Sequence, residues 1–235
     1  MNHEVIVACD FSSAEETLRF LDLFRDEKPF VKIGMELYYS IGPEIVRQIK
    51  ARGHKIFLDL KLHDIPNTVY RTMRNLARLD VDMVNVHAAG SSEMMRAARR
   101  ALDEQGSQAI LLAVTQLTST TEEAMQQELW IDHPMADTVR HYAAVSQGAG
   151  CHGVVCSPLE VTDVVHECGA GFVTVTPGVR FAEGDKGDQK RVTTPAGARK
   201  LGSHYIVMGR PITTAADPVA AYRRAMDEFQ RGVEA

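Results

Sequence analysis

Along the chain, short runs of apolar, mostly branched residues alternate with longer stretches in which apolar positions recur every three or four residues. The short runs lie at 4–9, 30–34, 55–60, 83–87, 108–115, 153–156, 172–176 and 205–208. They are nearly continuous in Val, Ile, Leu and Phe rather than alternating with polar residues. That pattern predicts parallel strands buried on both faces. The stretches between them predict amphipathic helices. Ser13 and Glu16 have capping-box spacing ahead of Leu18, Leu21 and Phe24. Pro43 opens a helix with Ile45 and Ile49 on one face and Gly53 at its end, and Pro66 opens another with Val69, Met73 and Leu76 inward. Met94, Ala98 and Ala101 stop at Gly106, and Val139, Tyr142 and Ala143 precede Gly148. Leu159, Val161, Val164 and Val165 precede Gly169, and Ala198 and Leu201 precede Gly202. Asp217-Pro218 begins the last helix, which buries Val219, Tyr222, Met226 and Phe229.

Eight strand–helix units in 235 residues amount to about 29 residues each, the size expected of a compact (β/α)8 TIM barrel, an α/β fold. No linker or repeat divides the sequence, so a single domain spanning 1–235 is expected. An open doubly wound sheet is the alternative, but such sheets carry a glycine-rich turn after the first strand. The corresponding segment here reads CDFSSAEE, without glycine. Two connections, 116–134 and 177–192, are long for a compact barrel and both follow a strand. That places them as active-site loops on the face where barrel enzymes build their sites.

Composition narrows the function. The chain is 45% hydrophobic and 24% charged, with 26 Lys and Arg against 31 Asp and Glu, for a net charge of −5. No basic run offers a footprint for nucleic acid or a membrane surface. The longest clean apolar stretch, 109–114, falls far short of the roughly 20 residues that span a bilayer. The N-terminus runs straight into strand-like sequence, so no secretory leader and a cytoplasmic location are expected. Cys9, Cys151, Cys156 and Cys168 form no CxxC pair. Cys9 and Cys156 sit in apolar runs and read as reduced core residues.

Polar residues concentrate where the strands end. Asp10 ends the first strand, Lys32 lies in the second, the third ends in Asp59-Leu60-Lys61-Leu62-His63-Asp64, and the eighth runs into Gly209-Arg210. One lysine at a strand end could snorkel to solvent. Two on adjacent strands, with aspartates beside them, call for another explanation. Asp59 and Lys61 are two apart, so on an extended strand they share a side. An alternating Lys–Asp–Lys–Asp array gives each buried ammonium a carboxylate neighbour and keeps Lys61 charged. A charged, held lysine is a proton donor, not a Schiff-base nucleophile. Phosphate sites in such barrels use the loops after strands seven and eight. Arg180 and Gln189 lie in the first of these, and Gly209 and Arg210 in the second. His87 reads as a hydrogen-bonded rim residue, and His63 as pointing away from Lys61. His133, His141, His152, His166 and His204 lack metal-ligand spacing. Trp130 reads as packing for its loop.

Five segments carry a resemblance: DLKLHDIPNT at 59–68, VTQLTS at 114–119, VTPGVR at 175–180, GDQKRV at 187–192 and VMGRPIT at 207–213. In this order they resemble the orotidine 5′-monophosphate decarboxylase family over essentially the whole chain. The resemblance implies decarboxylation of orotidine 5′-monophosphate to uridine 5′-monophosphate, the last step of de novo pyrimidine biosynthesis. It makes Lys61 the proton donor, Asp59 the carboxylate facing the leaving carboxylate, and Lys32 the group holding Asp59 and the ribose. Asp10 would bind a ribose hydroxyl, and Thr118 would touch the pyrimidine. Arg180, Gln189, Gly209 and Arg210 would hold the phosphate. Asp64 and Thr68 would complete the site of a neighbouring subunit in a homodimer.

Neither cofactor nor metal is expected. Losing CO2 from C6 leaves a poorly delocalised carbanion, for which most decarboxylases recruit a cofactor as electron sink. No pyridoxal, thiamine or flavin signature is visible, which leaves electrostatic stabilisation by Lys61. Phosphate binding energy would close the 177–192 loop and act at the reacting end. Two rivals remain. A metal-dependent sugar-phosphate decarboxylase or aldolase-like barrel would need an acid where Lys32 stands. A non-catalytic phosphate-binding barrel would not need Asp59, Lys61 and Asp64 together.

Overall fold

Burial on both faces organises the chain into a barrel. The computed structural model describes residues 3–183 and 192–234. The strands are β1 (Glu4–Ala8), β2 (Phe30–Gly34), β3 (Ile56–Leu62), β4 (Met83–His87), β5 (Ile110–Val114), β6 (Gly153–Val155), β7 (Val173–Thr176) and β8 (Tyr205–Met208). They pair in sequence order, all parallel, and β8 returns to β1 to close the barrel. The fold is therefore the (β/α)8 barrel that the apolar runs predict.

Alternation along each strand separates two packed regions. Ile6, Ala8, Phe30, Phe57, Met83, Leu112, Val175 and Val207 point inward and fill the barrel. Their neighbours Val5, Val7, Val31, Ile33, Leu58 and Val84 point outward to the helices. Those helices are α1 (Ala14–Leu21), α2 (Met35–Ile41), α3 (Glu44–Ala51), α4 (Pro66–Ala77), α5 (Ser91–Glu104), α6 (Glu122–Gln127), α7 (Met135–Gly148), α8 (Val161–Cys168), α9 (Pro195–Leu201), α10 (Arg210–Thr213) and α11 (Pro218–Arg231). The inward parity decides the site. Lys32 stands two residues beyond Phe30, and Asp59 two beyond Phe57, so the charged residues form the layer above the apolar filling.

Local sequence reasoning needs four adjustments. Ser13 caps α1 by accepting from the Glu16 N–H at 3.2 Å, but the reciprocal capping box is at Ser157 and Glu160, ahead of α8. Leu159 faces solvent rather than the core, because a 3-10 turn at Pro158–Glu160 precedes the helix. The 116–134 connection contains α6, capped by Thr121. Trp130 does not pack the loop. It is 88% exposed with φ of +57°, in a left-handed turn, and the buried side chain of this connection's helix is Met125 instead. Among the described residues, no helix is long and apolar enough to cross a membrane. Cys9 and Cys156 are buried, as expected, and so is Cys151.

Candidate active site

The strand ends bring Asp10, Lys32, Asp59 and Lys61 into one chain of charges. Lys32 Nζ donates to Asp10 Oδ1 at 2.8 Å and lies 3.4 Å from Asp59 Oδ2. Lys61 Nζ donates to Asp59 Oδ1 at 2.7 Å. Only 13% of the Lys32 side chain and 10% of the Asp59 side chain reach solvent, so Coulomb attraction between them is weakly screened. Burial alone would lower the Lys32 ammonium, but Asp59 and then Asp10 outweigh it and hold it above its ordinary range. Burial would likewise raise the Asp59 carboxyl. Lys32, Lys61 and hydrogen bonds from Lys61 and Asn85 outweigh it and keep Asp59 ionised. Gly34 leaves room for this arrangement. A Cβ there would sit 3.1 Å from Asp10 Oδ1 and 3.2 Å from Lys32 Nζ.

Lys61 reaches Asp59 by a route that simple alternation does not describe. The β3–β4 register runs Phe57↔Met83 and Leu58↔Val84, then jumps to Leu62↔Val86. Asp59, Leu60 and Lys61 thus stand opposite Asn85 alone, an irregularity of the kind that re-aims side chains next to active sites. Lys61 itself has φ of +51°. Its N–H donates to Asn85 Oδ1 at 2.8 Å, and Asn85 Nδ2 donates to Asp59 Oδ1 at 2.7 Å.

Two adjoining compartments share Lys32, Pro177 and Val207. The first, about 400 Å3, is lined by Asp10, Gly178, Arg180, Gly209, Arg210 and Thr213. Gly178, with φ of +79°, turns the chain after β7. Arg180 N–H then donates to Thr193 O at 3.0 Å, which fixes this segment against the one leading to α9. Arg210 is exposed at the start of α10. The second compartment, about 230 Å3, is lined by Phe57, Val114, Val155 and Cys156 on its apolar side, with Asp59, Lys61, Gln116 and Thr118 around it. Thr118 and Gln116 are both buried.

Asp64 and Thr68 stand apart from this cluster. Both are exposed on the rim beyond β3. Among the described residues Asp64 makes no ion pair within the chain, and its Oδ1 accepts from the Ile65 N–H at 2.7 Å. The fourth charged member within one chain is therefore Asp10. Gln189 lies outside the described residues. His63 is exposed and His87 half-buried, with ring centroids 5.4 Å apart. Burial, then His63 and Lys61, lower the His87 imidazole. Sequence reasoning missed Asn85, Gln116 and the apolar wall. For Asn85 the readable signal was its parity: it stands two beyond inward-facing Met83, as Asp59 does beyond Phe57.

Fold and site together define a (β/α)8-barrel enzyme in which a carboxylate–ammonium chain runs from an arginine-bearing compartment, lined also by Asp10 and Lys32, into a second compartment lined by Lys32, Asp59 and Lys61. Residues 3–225 match the family model described as "Orotidine 5'-phosphate decarboxylase / HUMPS family". The chain is 53% identical over 234 residues to an orotidine 5′-phosphate decarboxylase of Geobacillus sp. (strain WCH70), covering 98% of each. It is 53% identical over 236 residues to that of Geobacillus thermodenitrificans, covering 99% of each. The crystal structure of orotidine 5′-phosphate decarboxylase from Lactobacillus acidophilus superposes with a TM-score of 0.87 at 42% identity, over 96% of this chain and 98% of that one. An uncharacterized conserved protein from Geobacillus kaustophilus superposes with a TM-score of 0.86 at 49% identity, over 96% and 99%. The chain belongs to the orotidine 5′-phosphate decarboxylase / HUMPS family.

Proposed function

We propose that this chain decarboxylates orotidine 5′-monophosphate to uridine 5′-monophosphate without a cofactor, using Lys61 as proton donor. The observation that carries the reading is the Asp10–Lys32–Asp59–Lys61 chain placed beside a small, apolar-walled compartment. The phosphate occupies the arginine-bearing compartment, with Arg180, Gly209 and Arg210 as its ligands from this chain's described residues. Arginine offers a planar fork of donors to such an oxyanion. The ribose lies across Asp10 and Lys32, and the pyrimidine enters the second compartment beside Thr118.

In this pose Asp59 faces the substrate carboxylate. Two like charges held together in the ground state are relieved as CO2 departs, which raises the rate without tightening substrate binding. The C6–carboxylate bond breaks, its electron pair stays on C6, and Lys61 transfers a proton to that carbon. Lys61 then regains a proton from solvent. The ammonium stabilises the developing carbanion electrostatically, in a site whose charges are already oriented. The oxygens of Asp10 and Asp59 are engaged by ammonium groups, so the reading needs no metal at this position. Asp64 and Thr68, exposed on the rim next to Ile65, complete the site of a second subunit in a homodimer.

The test is Lys61→Ala, with orotidine 5′-monophosphate turnover followed by ultraviolet absorbance. The variant loses decarboxylation while still binding uridine 5′-monophosphate, because the lysine's main partner is the transition state. A Lys61→Ala enzyme that turns over normally refutes the assignment.

A further inference from the structure

Asn85 is a polar side chain at the centre of a barrel strand, 1% exposed, with apolar Leu112 as its register partner on β5. A buried amide in that position must have both its ends satisfied. Here each end is taken by one of the groups assigned to the chemistry. The irregular β3–β4 pairing leaves the Lys61 N–H without a ladder carbonyl, and Asn85 Oδ1 accepts it at 2.8 Å. Asn85 Nδ2 donates to Asp59 Oδ1 at 2.7 Å, the same oxygen that receives Lys61 Nζ. A single amide therefore grips the backbone of Lys61 and the carboxylate of Asp59. An aliphatic side chain offers neither bond, and a carboxylate offers only the acceptor.

We propose that Asn85 is a positioning residue for proton transfer: its amide holds the Asp59 carboxylate and the Lys61 backbone in the relative placement the reaction requires. The inference rests on the reading that Asp59 and Lys61 carry the chemistry. The charged groups around the amide are Asp59 and Lys61 from β3, Lys32 from β2 through Asp59, and His87 two residues on along β4.

Asn85→Asp separates the two grips, and Asn85→Ala removes both. The aspartate keeps an acceptor for the Lys61 N–H but loses the donor to Asp59. When protonated it regains an O–H that can donate there. Both variants are assayed for kcat, for the Kd of uridine 5′-monophosphate and for folding by circular dichroism, with Lys61→Ala alongside. Displacement of catalytic groups by an ångström costs on the order of a hundredfold in rate. The expected result is a fall in kcat of that order at pH 7.5 with product Kd changed less than about threefold, since the phosphate contacts remain. In addition, the Asn85→Asp rate, taken relative to the parent at each pH, rises as pH falls from 8 toward 6. A kcat within about threefold of the parent with an unchanged pH profile overturns the inference. So does a loss of product affinity that matches the loss of rate, which marks general disruption. If Asn85→Ala does not fold, Asn85→Asp decides alone. An active Lys61→Ala enzyme instead overturns the underlying assignment, so the two failures are told apart.

Discussion

Replacing Lys32 with methionine removes a charge while keeping most of the side-chain volume, and the structure sets the size of the effect. At 3.4 Å from Asp59 Oδ2, an ammonium in surroundings of effective dielectric about 20 attracts the carboxylate by on the order of 5 kcal/mol. That gross value is not all lost. Lys61 at 2.7 Å and Asn85 at 2.7 Å still hold Asp59, and methionine no longer has to be stripped of an ion's water. Removing one partner of a buried pair costs about 3–5 kcal/mol. With two partners remaining, Lys32→Met should lose about 2–3 kcal/mol, or about 5–10 °C in Tm for a domain of this size. The pH dependence identifies the cause. Asp59 is held below its ordinary 3.8, so its contribution is complete above that pH and is lost as pH falls through the folded value. Lys32 is held above its ordinary 10.5, so its contribution is complete below that pH and is lost as pH rises through the folded value. Urea unfolding should therefore show a constant gap between parent and variant from about pH 5 to 9, narrowing below 3.8 and above 10.5. A variant as stable as the parent at pH 7, or a gap indifferent to pH, refutes the idea that the array is net stabilising.

Three further outcomes are expected. Arg210→Ala should raise KM by about 10- to 150-fold, the loss of one charge-assisted hydrogen bond of about 1.5–3 kcal/mol, and steady-state kinetics that leave KM unchanged would remove Arg210 from the phosphate site. Activity should survive EDTA and gain nothing from added Mg2+, whereas a loss reversed by Mg2+ would revive the metal-dependent rival. In the proposed shared-site homodimer, Lys61→Ala subunits exchanged with Asp64→Ala subunits should recover roughly a quarter of wild-type sites, since half of such dimers would be mixed, each with one intact site. No recovery despite demonstrated exchange would place Asp64 in its own chain's site.

Most of the barrel was legible because strands buried on both faces must be apolar throughout. β2, β4 and β8 fall at 30–34, 83–87 and 205–208 as read. Errors cluster where tertiary structure overrides local pattern. β3 extends two residues past the reading, to Leu62, because the irregular pairing with β4 carries the chain through Lys61. The helices α6 and α10 were hidden, being too short to show a helical period. Asp10, Lys32, Asp59 and Lys61 were visible because charge in an apolar strand demands a reason. Asn85 was not, because a single uncharged amide within VNVH breaks no rule strongly enough to be noticed.

The same contrast explains why the site is built on an irregular strand. Regular alternation already places Asp59 and Lys61 on one side, but it fixes neither their separation nor the aim of the ammonium. A lysine side chain has four rotatable bonds and could satisfy Asp59 from many positions, most of them useless for the proposed delivery of a proton to one carbon. Turning the Lys61 backbone to φ +51° and tying its N–H to Asn85 restricts where that side chain starts. Tying Asp59 to the same amide restricts where it ends. The cost is a broken ladder and a left-handed residue, conformations that persist only where surrounding packing over-determines them. Here Leu58, Leu60, Val84 and Val86, all buried around the irregularity, supply that packing. Loosening them should therefore reduce turnover before it reduces nucleotide binding, because the arginine-bearing compartment after β7 and β8 shares, among the described residues, only Lys32, Pro177 and Val207 with the compartment that Asp59 and Lys61 line.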